Sequence, residues 1–169
     1  MKKRGALLVC ILFLFVAGST FGQSQAVEAV RDYRQQHEVD ILSKYLNFLK
    51  IPNVATDLPN IRRNAEYLVE EFEKRGAEME LLTLPGQPDV PPVVYGELKA
   101  PGAERTLIVY VHYDGQPADP KNWTHHPWEP TLYSGSMAEG GEVVELPAPG
   151  EAVNPAWRIY GRSASDDKV

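Results

Sequence analysis

The sequence predicts an α/β fold, with helices packed on a mixed, largely parallel sheet. Two stretches with apolar residues at three- and four-residue spacing come first, the signature of amphipathic helices. Two alternating segments follow. Then comes TLIVYVHY, residues 106–113, an almost unbroken apolar run rich in β-branched residues and tyrosine. Such a run is what a strand covered on both faces requires, and helices feeding a doubly covered sheet define the α/β class.

Residues 1–26 stand apart as an export signal. Lys2, Lys3 and Arg4 precede the apolar run ALLVCILFLFVA (6–17), and small or polar residues follow in GSTFGQSQA. This is the three-part plan of a secretory signal peptide, with cleavage after Gly22 or after Ala26 both fitting. A transmembrane anchor is the rival reading, but the run falls short of the ~20 residues a spanning helix needs. Cys10, in the middle of the run with no small residue before it, argues against a lipoprotein. The expected destination is secreted or periplasmic, with no membrane attachment after cleavage.

Residues 27–169 remain, enough for one domain at the usual scale of about 100–200 residues. Loss of the three basic residues takes the formal charge from −6 to −9. That acidic balance argues against nucleic acid and anionic membrane surfaces as partners. Cys10 is the only cysteine, so the exported chain has no disulfide, no thiolate metal site and no cysteine nucleophile. Its stability must come from the core, from bound metal or from association.

Taken in order, a helix is expected over 27–49, where Val30, Tyr33, Val39, Ile41, Leu42, Tyr45, Leu46 and Leu49 recur at helical spacing. The segment IPNVATDLPN breaks it. A second helix is expected over 58–76, with Ile61, Ala65, Leu68, Val69 and Phe72 on one face and Gly76 as its stop. Strands follow at 79–84, 93–99 and 106–113, separated by proline-rich linkers. Residues 114–155 are dominated by Pro, Gly and Trp and read as a long loop or flexible hairpin, a length usually kept for function. WRIYG, 157–161, reads as a last short strand.

The chemistry-bearing residues sit where strands end. In VHYDG, His112 and Asp114 project to the same side of an extended segment at the carboxyl end of the apolar strand, where open α/β sheets place ligands. A carboxylate beside an imidazole fixes its tautomer and makes the other ring nitrogen a better ligand; the plainer reading is a solvated loop pair. In GRSASDDK, Asp166 follows a second strand in a turn of small residues. Imidazole and carboxylate without thiolate suit zinc or a comparable divalent ion. Asp166 and Asp167 equally suit the first turn of a helix, where the dipole favours acids, and the two readings are compatible. His125 and His126 are weaker candidate ligands, and Trp123 and Trp128 read as a packed rim. His37 reads as a solvated residue on a polar helix face.

Together, VHYDGQPADPKNWTHHPWEP (111–130) and YGRSASDDK (160–168) resemble the family of cocatalytic zinc peptidases and deacylases. That family includes carnosinase-type dipeptidases, aminoacylase, glutamate carboxypeptidase and succinyl-diaminopimelate desuccinylase. The resemblance implies that His112 is a terminal ligand of one zinc, that Asp114 is the catalytic-site residue orienting His112, and that Asp166 bridges two zinc ions. It further implies a cis peptide bond between Asp166 and Asp167, and hydrolysis of an amide bond in a dipeptide or N-acyl amino acid. In this family a glutamate base, a further acidic ligand and a histidine lie beyond the Asp-Asp-Lys motif, together with a smaller, often dimer-forming domain. The sequence ends at Val169, where many relatives have a glycine. The expectation is therefore the N-terminal part of an exported peptidase catalytic domain, spanning 27–169, inactive alone and possessed of a homodimer partner only in a longer protein. The rival reading is a non-catalytic or degenerate exported fragment that binds metal, or a partner, without turnover.

Overall fold

A computed structural model describes residues 21–166 and residue 168. Residues 1–20, most of the expected 1–26 export signal, and Asp167, with its peptide bond to Asp166, lie outside the described residues. The chain divides into two compact units, one comprising residues up to Ile41 with Pro147–Val153, the other Leu42–Leu146 with the residues from Asn154 onward. The α/β class holds: among the described residues three helices come first and four short strands follow.

In the first unit, α1 spans Phe21–Gln36 and α2 begins at Glu38, continuing to Leu49 across the unit boundary. The expected single helix is interrupted at His37. Its imidazole Nδ1 donates to the Tyr33 carbonyl at 2.8 Å, and its ring stacks on Tyr33 with centroids 4.1 Å apart. The His37 amide is left shared between the carbonyls of Tyr33 and Arg34. A side chain that takes a ladder carbonyl bends a helix, so the half-buried His37 marks the joint. An Arg34–Glu38 ion pair at 2.7 Å spans it. Among the described residues no helix is long and apolar enough to cross a membrane.

In the second unit, α3 spans Leu58–Glu73. Asp57 caps it by accepting from the Asn60 amide at 3.3 Å, and Pro59 occupies the first turn, where its missing N–H is not needed. Ile61, Asn64 and Ala65 are buried on its inner face. Its far end is laced by Lys74 to Glu70 (2.7 Å) and Glu71 (2.9 Å), and by Arg75 to Glu71 (2.9 Å). The carboxylates push the Lys74 ammonium up to about 12, and the two cations hold Glu71 below the usual carboxylate range. Gly76, at φ 85°, then turns the chain.

α3 packs on a hairpin of β1 (Glu78–Leu82) and β2 (Val93–Glu97), antiparallel with Glu78 opposite Glu97 and Leu82 opposite Val93. A second antiparallel pair joins β3 (Thr131–Tyr133) to β4 (Arg158–Tyr160). Leu132 and Tyr133 are buried there, and Tyr133 meets Tyr160 edge-on at 5.2 Å. The 114–155 stretch is thus more ordered than expected. It contains β3, 3₁₀ turns at Pro120–Asn122 and Met137–Glu139, and a further rung in which Val144 N–H donates to Leu132 at 2.9 Å.

The expected largely parallel sheet is not formed among the described residues. Both sheets are antiparallel pairs, and the one parallel rung joins Val54 to Gly115. Residues 106–113, expected as the central strand, run without a sheet partner; Leu107, Ile108, Val109, Tyr110 and Val111 are 74–91% exposed. A doubly covered strand needs a neighbour on each edge and a layer on each face. The described residues supply neither, so the segment's apolar character has nothing to be buried against.

Candidate active site

His112 closes the apolar run, and its ring is held from one side. Nδ1 lies 3.0 Å from the Asp114 main-chain oxygen and 3.3 Å from Asp114 Oδ1. Two acceptors on that side favour a proton on Nδ1, the arrangement in which the Nε2 lone pair points to the other side of the ring. Nε2 faces Asp166 Oδ1 at 3.8 Å. The side chains of His112, Asp114 and Asp166 are all at least half exposed, so the cluster opens to solvent and to a ligand.

Two segments about fifty residues apart in sequence meet here because of residues that motif reading missed. Asn53, in the loop between α2 and α3, is fully buried. Its main-chain oxygen accepts from the Gly115 amide (2.7 Å), its Nδ2 donates to the Tyr113 carbonyl (3.1 Å), and its Oδ1 accepts from buried Ser163 Oγ (2.8 Å). Asn64 of α3 supports the loop from behind, donating to the Pro52 carbonyl at 2.7 Å. The Asp166 turn is tied to α2 as well. Tyr45 donates to the Ala164 carbonyl at 2.9 Å. Lys168, 6% exposed, donates to the Phe48 (2.8 Å) and Ile51 (2.6 Å) carbonyls and lies 4.3 Å from the Phe48 ring centroid. α2 has no basic residue in its own last turn, and Lys168 supplies the cation its C-terminal carbonyls favour.

Tyr113, between His112 and Asp114, turns away from the cluster to donate to the Pro92 carbonyl. Burial pushes its phenol up, and the Asp114 charge adds to the effect. The remaining histidines of the sequence are engaged elsewhere. His125 Nε2 meets the Tyr133 hydroxyl at 2.5 Å, and His126 Nδ1 faces the Trp128 amide at 3.4 Å. Trp123, His125, His126, Met137 and Tyr160 line an open hollow of about 170 Å³.

Among the described residues no three His, Cys, Asp or Glu converge as a complete metal cage. The donors that do meet fit a divalent ion as part of one: a tautomer-fixed imidazole nitrogen facing a carboxylate oxygen is the pairing used by catalytic zinc. Asn53, Ser163 and Tyr45 carry no sequence signal that marks them. Lys168 alone does, as the third residue of the Asp-Asp-Lys motif.

No family model matches the chain. It is 27% identical over 139 residues to the Cys-Gly metallodipeptidase dug1 of Schizosaccharomyces pombe, an alignment covering 76% of this chain and 25% of that protein. It is 25% identical over 163 residues to the Cys-Gly metallodipeptidase DUG1 of Candida albicans, covering 89% and 30%. A solved structure of the dipeptidase Dug1p from Saccharomyces cerevisiae aligns with a TM-score of 0.48 at 22% identity, over 64% of this chain and 26% of that one. The chain spans about a quarter to a third of the length of the curated relatives it matches. These relatives are named metallodipeptidases, in keeping with the resemblance to cocatalytic zinc peptidases drawn from residues 111–130 and 160–168.

Proposed function

We propose that this chain is part of the catalytic domain of a zinc-dependent peptidase acting on dipeptides, of which the Cys-Gly type named for its relatives is the first to try. N-acyl amino acids are the second substrate class. The observation that carries the reading is the His112 ring, held through Nδ1 by Asp114 while Nε2 faces Asp166 at 3.8 Å. In this reading His112 and Asp166 would hold zinc, and Asp114 would orient the imidazole. When bound there, zinc would supply Lewis-acid activation of water and of the scissile carbonyl. His112 and Asp166 hold their donors at the mouth of an open cluster, and Asp114 favours the proton on Nδ1, the ring nitrogen facing it. Residues 1–26 act as an export signal, in keeping with their basic start and apolar run, and the complete protein works outside the cytoplasm, as a homodimer. Its acidic surface favours small peptides over nucleic acid or anionic membranes as partners.

The test has two arms. Zinc titrated against a chromophoric chelator should bind the wild-type chain, and His112→Ala and Asp166→Ala should each remove that binding. Unchanged uptake by either variant takes that residue out of the site. Protein expressed from the complete reading frame should release free amino acids from Cys-Gly, and the same two substitutions should abolish turnover. Zinc binding without turnover of any dipeptide or N-acyl amino acid would leave a metal-binding module instead of an enzyme.

A further inference from the structure

We propose that Asn53 is a positioning residue that clamps the His112 segment to the Asp166 turn and thereby sets the separation of the two metal-facing donors. The proposal rests on the metal-site reading above for its purpose, but its geometry stands without it. Three polar atoms of one buried residue are divided between the two segments. The main-chain oxygen and Nδ2 hold Gly115 and Tyr113, the immediate neighbours of Asp114, with Tyr113 also adjoining His112. Oδ1 holds Ser163, three residues before Asp166. Both side chains in the Asn53–Ser163 bond are essentially solvent-free, at 0% and 1% exposure, while His112, Asp114 and Asp166 are open to water. A dry hydrogen bond thus lies beneath the exposed donors, beside an exposed link between the same segments from Arg162 Nε to the Gln116 carbonyl at 2.9 Å. A polar pair inside a protein is held far more rigidly than the same pair in water, because leaving either group unpaired there is costly.

Asparagine suits the position for a chemical reason. Its amide presents a donor and an acceptor at once, and the clamp needs the donor for a carbonyl and the acceptor for a hydroxyl. Aspartate would keep the Ser163 contact and lose the one to Tyr113, placing a carboxylate against a carbonyl oxygen. Alanine would lose both and strand two buried groups.

Ser163→Ala is the discriminating variant, because it removes one hydroxyl and leaves the loop of Asn53 intact. Two measurements are made on the folded chain: zinc affinity, and hydrogen exchange at the Gly115 amide, which donates to Asn53. Removing a group that orients metal ligands typically weakens binding ten- to a hundredfold, and the expected loss is in that range. Gly115 exchange should rise at least several-fold, although Ser163 contacts neither Gly115 nor the donors. In a His112→Ala background the exchange effect should persist while the zinc effect disappears. A folded Ser163→Ala chain with Gly115 exchange as in wild type overturns the clamp, whatever its zinc affinity. Should the wild-type chain take up no zinc, the metal reading fails and Gly115 exchange decides the clamp by itself. If Ser163→Ala does not fold, Asn53→Asp replaces it, with the Tyr113 contact as the one lost and the same two readouts.

Discussion

Asp114 offers the His112 imidazole two acceptors, and the main-chain oxygen, at 3.0 Å, is closer than the carboxylate, at 3.3 Å. The consequence is a graded pair of mutants. Asp114→Ala deletes the carboxylate but keeps a carbonyl that fixes the same tautomer, so zinc affinity should fall by about tenfold, the lower end for a ligand-orienting partner. His112→Ala should remove binding altogether. Equal losses in isothermal titrations would mean that the carbonyl contributes nothing and the carboxylate alone orients the ring. His112, Asp114 and Asp166 could be singled out as candidates in the sequence by the chemistry of their own segments, although residues 106–113 form no strand. Asn53 and Ser163 could not be. An asparagine between Pro52 and Val54 reads as turn chemistry, and a serine among glycine and alanine reads as a flexible loop. Only their burial against each other reveals a shared task, and burial across 110 residues of separation leaves no local trace.

The elements whose patterns are local came out where periodicity puts them. α3 carries its own cap, first-turn proline and terminal glycine; β1 begins one residue before the expected 79–84 segment, and β2 and β4 fall within the expected 93–99 and 157–161. Where a pattern depends on partners, the reading went astray. The run at 106–113 has the composition of a central strand but no neighbour among the described residues, and its side chains stand in water. Unpaired backbone beside high β-propensity and no charge is a template for pairing with another copy. The chain should therefore self-associate in a concentration-dependent way through this segment. Val109→Lys places a charge at its middle, on a residue already 74% exposed, and should cost the folded unit little. Sedimentation velocity should show a shift toward monomer in Val109→Lys with an unchanged far-ultraviolet spectrum. An unaltered distribution would locate association on some other surface.

Cohesion of the second unit depends on a small apolar core, with Leu49, Ile61, Ala65, Leu132 and Tyr133 as its buried hydrophobics, reinforced by phenol hydroxyls that reach across between segments. Tyr45 joins α2 to the Asp166 turn through the Ala164 carbonyl, and Tyr113 joins the His112 segment to the linker before β2 through that of Pro92. Both acceptors are carbonyls, so both contacts require the neutral phenol. Burial raises both phenols above the usual tyrosine value, with the Asp114 charge adding to Tyr113. The direction of the pH effect follows. The folded chain holds these protons more tightly than the unfolded chain, so their contribution is complete below the unfolded value of about 10 and is lost as pH rises through the higher folded values. Tyr67, raised chiefly by burial, and Tyr95, raised by its bond to Glu97, act in the same sense. Urea unfolding of the chain should give a flat stability from about pH 7 to about pH 10 and a steady decline above it. Tyr45→Phe with Tyr113→Phe should lower stability at pH 8 by about 1 kcal/mol per lost hydrogen bond and make the alkaline decline shallower. Parallel curves for wild type and double variant would mean that neither phenol titrates with unfolding, and that the two hydroxyls contribute as neutral hydrogen bonds alone.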